Sequence, residues 1–487
     1  MARSGPGPTT SRDGAAAAYA PPSGSIPTLA IPDLSGVREV HLVGIGGAGM
    51  SGLARLLLAR GARVTGSDLK DGPALERLRA SGAAVTVGHR PEALGRPHAV
   101  VVSTAIPPGN PEVAEAGRRG IPVWMRAQVL AALMAERRGI AVAGTHGKTT
   151  TTSMLAAILE GAGLDPTYVI GGDLNESGSN ARSGHGELFL AEADESDGSF
   201  LLLAPDVGVI TNVEADHLDF YRDAGHIQAA FVEFASRCGH VVVCADDAGA
   251  VGAAAAAGAP VTTYGEAEAA DVRVTDVFLD AGSGGAVARW AGGSVDLRIG
   301  LPGRHYLHNA AGALATAIVL GIDPSMAAAA LGRFSGVQRR FEERGVAGGA
   351  RFVDDYAHHP TEIRATLAAA RLGAGGRVVA VFQPHRYSRT AALGRELGES
   401  LAGADVAVVT DVYAAGELPI PGISGKLLVE ALVEARPGMR AVYLPRRADV
   451  TPFLLGEVRA SDLVLTLGAG DVTMVPDEVL AGMEGRG

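Results

Sequence analysis

An apolar run, Ile140-Ala141-Val142-Ala143, leads straight into Gly144-Thr145-His146-Gly147-Lys148-Thr149-Thr150-Thr151-Thr152. A strand that breaks into a glycine-bearing loop and resumes as a helix leaves little choice of fold. Such a join belongs to a parallel α/β sheet, with the loop at the carboxyl end of its strand. The glycines let backbone N–H groups converge on phosphate oxygens, and the helix N-terminus adds a favourable dipole. Lys148 is then placed to neutralise the outer phosphates, and the Thr149 hydroxyl to bind Mg²⁺. The strict nucleotide-loop pattern has one more glycine, where Val142 stands. The chain has only three lysines, Lys70, Lys148 and Lys426. A compact ammonium kept at this loop in an arginine-rich chain points to a need for a point charge.

The same alternation of strand and helix runs through most of the 487 residues, a length suited to about three domains. In the first, strands are expected over 40–43, 62–65 and 98–103, with helices over 51–59 and 127–137. A second module begins with the strand over 139–143 and continues with strands over 187–191, 207–211 and 240–244. Residues 265–300 read as a small antiparallel addition, and a helix over 310–320 precedes a boundary near Ser335. The third module has strands over 351–354, 377–382, 405–410 and 462–467 between Ala/Leu-rich helices. These are parallel βαβ units. The expected division is 1–34 as a disordered tail rich in Ala, Gly, Pro, Ser and Thr, then modules over 35–137, 138–335 and 336–487.

A net charge of −11 without basic runs argues against nucleic-acid binding. No apolar stretch approaches the roughly 20 residues a membrane-spanning helix needs. Two cysteines, Cys238 and Cys244, have no metal spacing and read as packing residues of a reducing cytosol. A cytoplasmic protein acting on small molecules, as a monomer or weak dimer, is expected.

Chemistry gathers at strand ends. Gly44-Ile45-Gly46-Gly47-Ala48-Gly49 follows the first strand, and Asp68 lies at the end of the second. This is a pyrophosphate-binding turn with a carboxylate for a ribose hydroxyl, and it fits NAD and a UDP-sugar equally. Glu192-Ala193-Asp194-Glu195-Ser196-Asp197 and Asn212-Val213-Glu214-Ala215-Asp216-His217-Leu218-Asp219 each follow a strand of the second module. Oxygen-rich turns there suit Mg²⁺, which needs one or two carboxylates beside substrate phosphates. Arg339-Arg340-Phe341, Asp354 to Pro360 and Gln383 to Arg389 supply arginine forks for carboxylate or phosphate oxygens, together with a His358-His359 pair.

Taken in order, the segments GIGGAGMSG, STAIPPGNPE, AGTHGKTTTT, EADESDGSFL, NVEADHLD, RRF, DDYAHHPTE, FQPHRYSRT and GAGD resemble the Mur ligases, ATP-dependent enzymes of bacterial cell-wall synthesis. The resemblance runs from about Val37 to the C-terminus and is nearest to the alanine-adding branch. It implies an N-terminal Rossmann-like domain for a UDP-sugar and a central, P-loop ATPase-like domain. The latter has a mostly parallel sheet with the small antiparallel addition. A C-terminal Rossmann-like domain then closes over the site. It also implies the reaction: ATP phosphorylates the lactyl carboxylate of UDP-N-acetylmuramate, and the amine of L-alanine displaces phosphate.

By that resemblance Gly44, Gly46, Gly47, Gly49, Asp68, Ser103, Thr104 and Asn110 bind the UDP-sugar. Gly144, Thr145, His146, Gly147, Lys148, Thr149 and Thr150 hold the ATP phosphates, with Arg340 reaching the γ-phosphate, and His305 and Asn309 lie beside adenine. Thr149, Glu192 and His217 take the metal, so Lys148, Glu192, His217 and Arg340 form the catalytic group. Tyr356, His358, Arg386 and Arg389 bind the amino acid and shape the closed site. Tyr306 departs from the family pattern, where Asn often follows the histidine. Some relatives bridge two Mg²⁺ ions with a carbamylated lysine. Lys148 is the only lysine between Asp71 and Gly425, so that bridge is not expected. Other readings are a murein-tripeptide ligase of the same family, an NAD-dependent oxidoreductase built on Gly44–Gly49, and a non-catalytic nucleotide-binding scaffold. Only a ligase uses the phosphate loop and both acidic turns.

Overall fold

The computed structural model describes residues 29–485 apart from 108, 176–178 and 219. The described residues form three sheets in succession. The first contains β1 (Glu39–Val43), β2 (Arg63–Asp68), β3 (Ala84–Val87), β4 (Ala99–Val102) and β5 (Val123–Met125). Its order is β3-β2-β1-β4-β5, parallel throughout. The chain runs outward from β1 to β2 and β3 on one side, then returns to β4 on the other. This reversal opens a crevice beyond the carboxyl ends of β1 and β4, the place where ligands bind in open parallel sheets.

The central sheet has ten strands: β6 (Arg138–Ala143), β7 (Thr167–Val169), β8 (Ala181–Arg182), β9 (Leu188–Glu192), β10 (Val207–Ile210), β11 (His240–Cys244), β12 (Val261–Gly265), β13 (Val272–Leu279), β14 (Gly284–Trp290) and β15 (Gly293–Ile299). The strand carrying the phosphate loop, β6, lies between β9 and β10 and is parallel to both. Residues 140–143, 207–210 and 241–244 are buried. These continuous apolar runs are what a strand covered by helices on both faces requires. The expected antiparallel addition is the meander β13-β14-β15.

The third sheet, ordered β16-β17-β21-β18-β19-β20, comprises β16 (Glu342–Ala347), β17 (Ala350–Asp355), β18 (Val378–Phe382), β19 (Val406–Val409), β20 (Arg440–Tyr443) and β21 (Leu463–Leu467). All its pairs are parallel except the edge hairpin β16-β17. Apolar clusters cover both its faces.

First and central sheets share one core, because helix Ala48–Ala59 lies against β7 and β8. A β-carbon added at Gly52 would stand 3.2 Å from Val169 Cγ1 and 3.3 Å from Ala181 Cβ. No helix among the described residues is long and apolar enough to cross a membrane.

Three expectations need correction. The expected tail over 1–34 ends too late. Leu34 packs into the first core, and Gln128 Nε2 donates to the Ala30 carbonyl at 2.7 Å; residues 1–28 lie outside the described residues. The helix expected over 310–320 begins at Arg304, because its polar first turns carry an outward face, with Arg304 and His308 both paired to Glu266. The helix expected over 127–137 stops at Met134. All the strands expected from the sequence are present, with ends shifted by up to three residues.

Candidate active site

Local chain geometry builds the phosphate loop first. Gly144 leaves β6 at φ +136°, and a β-carbon there would fall 2.0 Å from Thr211 Oγ1. Gly147 precedes helix Lys148–Gly161 in the left-handed region at φ +79°, where a side chain is disfavoured by about 1–2 kcal/mol. The end of β10 holds the loop between them. Thr145 N–H donates to the Asn212 carbonyl at 3.1 Å, and His146 N–H to Asn212 Oδ1 at 2.8 Å.

Lys148 Nζ folds back over this loop. It donates to the Gly144 and Thr145 carbonyls at 2.7 and 3.2 Å and pairs with Glu195 at 2.8 Å. Burial pushes the Glu195 carboxyl up to about 7 against the pull of Lys148. Thr149 Oγ1 donates to Glu192 Oε1 at 3.0 Å, while Glu192 Oε2 accepts from Gly171 N–H at 2.7 Å. Two oxygen donors about 3 Å apart match the edge of a Mg²⁺ octahedron with bonds of 2.0–2.1 Å. Thr149 and Glu192 could therefore hold a magnesium ion through oxygen, whereas the contacts of His217 are with Glu195 and Asp216.

His217 takes φ 52°, and its Nε2 lies 3.6 Å from both Glu195 Oε1 and Asp216 Oδ2. Burial lowers its imidazole from the usual value, which favours the neutral, ligating form. Asp216 is buried and meets Arg389 of the third module at 3.2 Å. Burial opposes ionisation of Asp216, but Arg389 and His217 outweigh it and hold the carboxyl well below the usual range.

The third module brings cations over the loop. Arg340 is stacked on the Tyr356 ring, its guanidinium carbon 5.1 Å from the centroid. Its backbone N–H donates to the Val337 carbonyl at 3.1 Å, and its side chain has no hydrogen-bond or ion-pair partner among the described residues. Arg339 occupies the same ring at 4.9 Å, but is tied to the Gly468 carbonyl at 2.6 Å and to Asp354 at 3.3 Å. His358 Nδ1 lies 3.0 Å from the Tyr356 carbonyl, and burial and Arg389 push its imidazole down to about 3. Arg386 starts helix Tyr387–Ser400 at φ +70°.

In the first module the glycine turn closes on its own carboxylate. Gly44 N–H donates to the Ser67 carbonyl at 2.8 Å, and Gly46 N–H to Asp68 Oδ2 at 2.9 Å. Ser103 and Thr104 follow the end of β4.

One cavity of about 910 Å³ gathers most of these groups. Gly44, Gly46, Gly47, Gly49, Asp68, Ser103 and Thr104 line it from the first module. Thr145, His146, Gly147, Lys148, Thr149, Glu192 and His217 line it from the second. Arg340, Tyr356, His358, Arg386 and Arg389 complete the wall. Gly144 and Thr150 belong to the loop and its helix without lining the cavity. Asn110 also lies off the wall, buried and capping helix Pro111–Arg119 through bonds from Glu112 and Val113 N–H at 2.9 and 3.3 Å. Asn309 lies against the loop, and His305 sits one turn earlier on helix Arg304–Val319, with its ring 4.2 Å from that of Tyr306. A β-carbon on Gly147 would approach Asn309 Oδ1 to 2.5 Å, and burial pushes His305 down to about 4. Tyr306 is buried in the central core. The Asp219 of the second acidic turn lies outside the described residues.

The sequence did not single out Arg126, Asn180 or Glu362, which also line the cavity. Glu362 was legible as the end of the DDYAHHPTE segment. Burial raises its carboxyl, but His358, His146 and Arg340 outweigh this and hold it well below the usual range. Arg126, 3.9 Å from Asp194, follows an unremarkable strand and carried no signal.

Comparison with known proteins agrees with this layout. Residues 39–138 match the Mur ligase family catalytic domain, 142–317 the Mur ligase middle domain, and 339–470 the Mur ligase glutamate ligase domain. A UDP-N-acetylmuramate–L-alanine ligase of Saccharopolyspora erythraea is 49% identical over 485 residues, covering 97% of each chain. The crystal structure of a UDP-N-acetylmuramate–alanine ligase from Thermotoga maritima superposes with a TM-score of 0.79 at 28% identity, covering 92% of this chain and 100% of that one. A murein peptide ligase from Psychrobacter arcticus follows at a TM-score of 0.70 and 25% identity, covering 92% and 98%.

Proposed function

The chain belongs to the Mur ligase family, and from that membership we propose that it joins L-alanine to the lactyl carboxylate of UDP-N-acetylmuramate using ATP. One observation carries the reading: a single cavity takes its wall from a pyrophosphate-type turn, a phosphate loop and a set of arginines, each on a different module. The relative that covers almost the whole chain bears the name of this activity. A murein-tripeptide ligase is the second reading and an NAD-dependent oxidoreductase the third. Neither is favoured by the 49% identity or by a cavity that contains a phosphate loop.

The first module holds the sugar nucleotide, with the turn through Gly44, Gly46, Gly47 and Gly49 giving the pyrophosphate close access to backbone and Asp68 toward the ribose. Ser103 and Thr104 stand next to it, and Asn110 supports them through the helix it caps. The central module holds ATP along Gly144–Thr150, with His305 and Asn309 on the adenine side. Bound Mg²⁺, held by Thr149, Glu192 and His217, would offset charge between the phosphates.

A lactyl carboxylate oxygen attacks the γ-phosphorus, and the bond to the ADP oxygen breaks. The acyl phosphate formed carries its charge toward Lys148 and Arg340, fixed cations in a site walled by three modules. The alanine amine then attacks the acyl carbon, and phosphate departs with the former carboxylate oxygen. Tyr356, His358, Arg386 and Arg389 orient the amino acid, the arginines meeting its carboxylate. Both nucleotide substrates put the reaction in the cytoplasm.

The test is phosphate release by the purified chain with UDP-N-acetylmuramate, ATP and Mg²⁺, against single amino acids and a preformed tripeptide. Release that depends on L-alanine supports the reading. Release with the tripeptide alone transfers it to the recycling branch, and nicotinamide-dependent turnover without either overturns it.

A further inference from the structure

Within the phosphate loop, His146 meets two side chains that the ligase reaction leaves unused. His146 Nε2 lies 3.6 Å from Glu214 Oε2, and His359 Nδ1 lies 3.9 Å from the same oxygen. One ligand atom from each of the three falls within 4.8 Å of the others. His146 Nε2 is buried without a hydrogen bond among the described residues, and its approach to Glu214 is an ion pair. Burial opposes the charged imidazole, but Glu214 and Glu362 outweigh it and raise the imidazole to about 9, so an ion must displace a proton there. We propose that His146, Glu214 and His359 form a binding site for a transition-metal ion of the Zn²⁺ class, separate from the Thr149–Glu192 centre and fastening the phosphate loop to the third module.

The surroundings are those a zinc site needs. Glu362 Oε1 lies 3.3 Å from His146 Nδ1, so the ring nitrogen facing away from the cluster has a carboxylate to fix its tautomer and orientation. Thr361 Oγ1 donates to Glu214 Oε2 at 2.7 Å, which orients the carboxylate in turn. His359 and His146 rings lie 4.6 Å apart, tilted by 39°. Two imidazoles and one carboxylate suit Zn²⁺ or Co²⁺ and leave a fourth position for water. Mg²⁺, which demands oxygen donors, is a poor match. Tetrahedral bonds near 2.0–2.1 Å place donors about 3.3 Å apart, so the 3.6 and 3.9 Å separations from Glu214 must close by about 0.3 and 0.6 Å, and the ligand atoms of the two histidines lie within 4.8 Å of each other. The ion replaces the His146 proton, which leaves to solvent, and affinity falls with acid.

His146 and Glu214 belong to the central module, whereas His359, Thr361 and Glu362 lie at the start of helix Pro360–Gly373 in the third. An ion there would tie the two together at the loop that grips phosphate. A second donor cluster, Cys244, Asp246 and His308, competes less well. Burial pushes its thiol up to about 11, and His308 Nε2 meets Glu266 at 2.8 Å, a tighter engagement than the 3.4 Å hydrogen bond that His359 Nδ1 accepts from Thr361 N–H.

The experiment is equilibrium dialysis of Co²⁺ against the full chain in saturating Mg²⁺ without nucleotide, with visible absorption of bound Co²⁺ as the second readout. It needs no substrate and stands apart from the ligase assay. The wild type should bind one more tight equivalent than His359→Ala and than Glu214→Gln, with the tetrahedral Co²⁺ band lost in both. His308→Ala and His217→Ala should retain that equivalent. Unchanged Mg²⁺-dependent ADP binding by His359→Ala shows that the variant is folded. Equal Co²⁺ stoichiometry in wild type and folded His359→Ala overturns the proposal, as does loss of the equivalent in His308→Ala or His217→Ala alone.

Discussion

Replacing Lys148 by Met removes a charge aimed at phosphate and, at once, the partner of a buried carboxylate. Glu195 is 2% exposed, and its nearest oxygen is 2.8 Å from Nζ. In the wild type, burial against the pull of Lys148 leaves Glu195 at about 7, so it is fully ionised only above that pH. Deprived of the lysine, Glu195 escapes ionisation by keeping its proton. Keeping it neutral at about pH 9 costs about 2.7 kcal/mol relative to the wild type, at about 1.36 kcal/mol per pH unit above about 7. That is the ceiling on the extra stability lost through Glu195 at that pH. Both folded values lie above the ordinary 4.5 and the variant's is the higher, so the deficit between the two proteins opens as pH rises through about 7. At about pH 5.5 it is close to zero, because both hold the carboxyl neutral. Turnover should fall ~10²–10³-fold for loss of one preorganised charge. Denaturant unfolding at both pH values and phosphate release measure the two effects. The double variant Lys148→Met/Glu195→Gln separates them, because the amide needs no counter-charge. It should regain stability and stay inactive. A double variant with near wild-type turnover would show that Lys148 serves only to neutralise Glu195. A single-variant deficit equal at both pH values would refute the buried pair.

Gly147→Ala places a β-carbon at φ +79°, 2.5 Å from Asn309 Oδ1. Calorimetry should find ADP binding at least about tenfold weaker, while Gly163→Ala, at φ +71° with open space around it, bears a similar strain of about 1–2 kcal/mol without that loss. Glu192→Gln should raise the Mg²⁺ concentration for half-maximal rate by at least ~10–100-fold, the scale already seen when only a group supporting a metal ligand is lost, with circular dichroism unchanged. Cys238 and Cys244 are free and buried, and burial pushes their thiols up to about 12 and about 11. A thiol reagent should therefore modify neither in the native protein and both in denaturant.

Sequence alone exposed the groups whose chemistry is local. Gly144 and Gly147 announce the loop because only backbone without a β-carbon fits its turns, and the runs 140–143 and 241–244 announce central strands because both their faces are buried. Edge strands escaped it. Ala84–Val87 and Glu342–Ala347 are largely exposed or half-buried, and Ala181–Arg182 has two residues, so none shows an apolar run or a clear alternation. The start of helix Arg304–Val319 was hidden because Arg304, His305 and His308 read as a polar binding segment, although their outward face is satisfied by Glu266. Least legible were contacts between modules. The pairs Arg389–Asp216, 173 positions apart, and Thr361–Glu214, 147 positions apart, depend on how two sheets pack. No local pattern encodes that.

The central claim concerns the fate of one oxygen atom. With UDP-N-acetylmuramate labelled by ¹⁸O in its lactyl carboxylate, ATP, Mg²⁺ and L-alanine, the phosphate released should carry one ¹⁸O atom, passed from carboxylate to phosphorus through the acyl phosphate. The sugar nucleotide should leave as its alanyl amide with the other. Unlabelled phosphate accompanying the amide, or ATP consumption without amide, would contradict the mechanism assigned to the cavity at Gly144–Thr149.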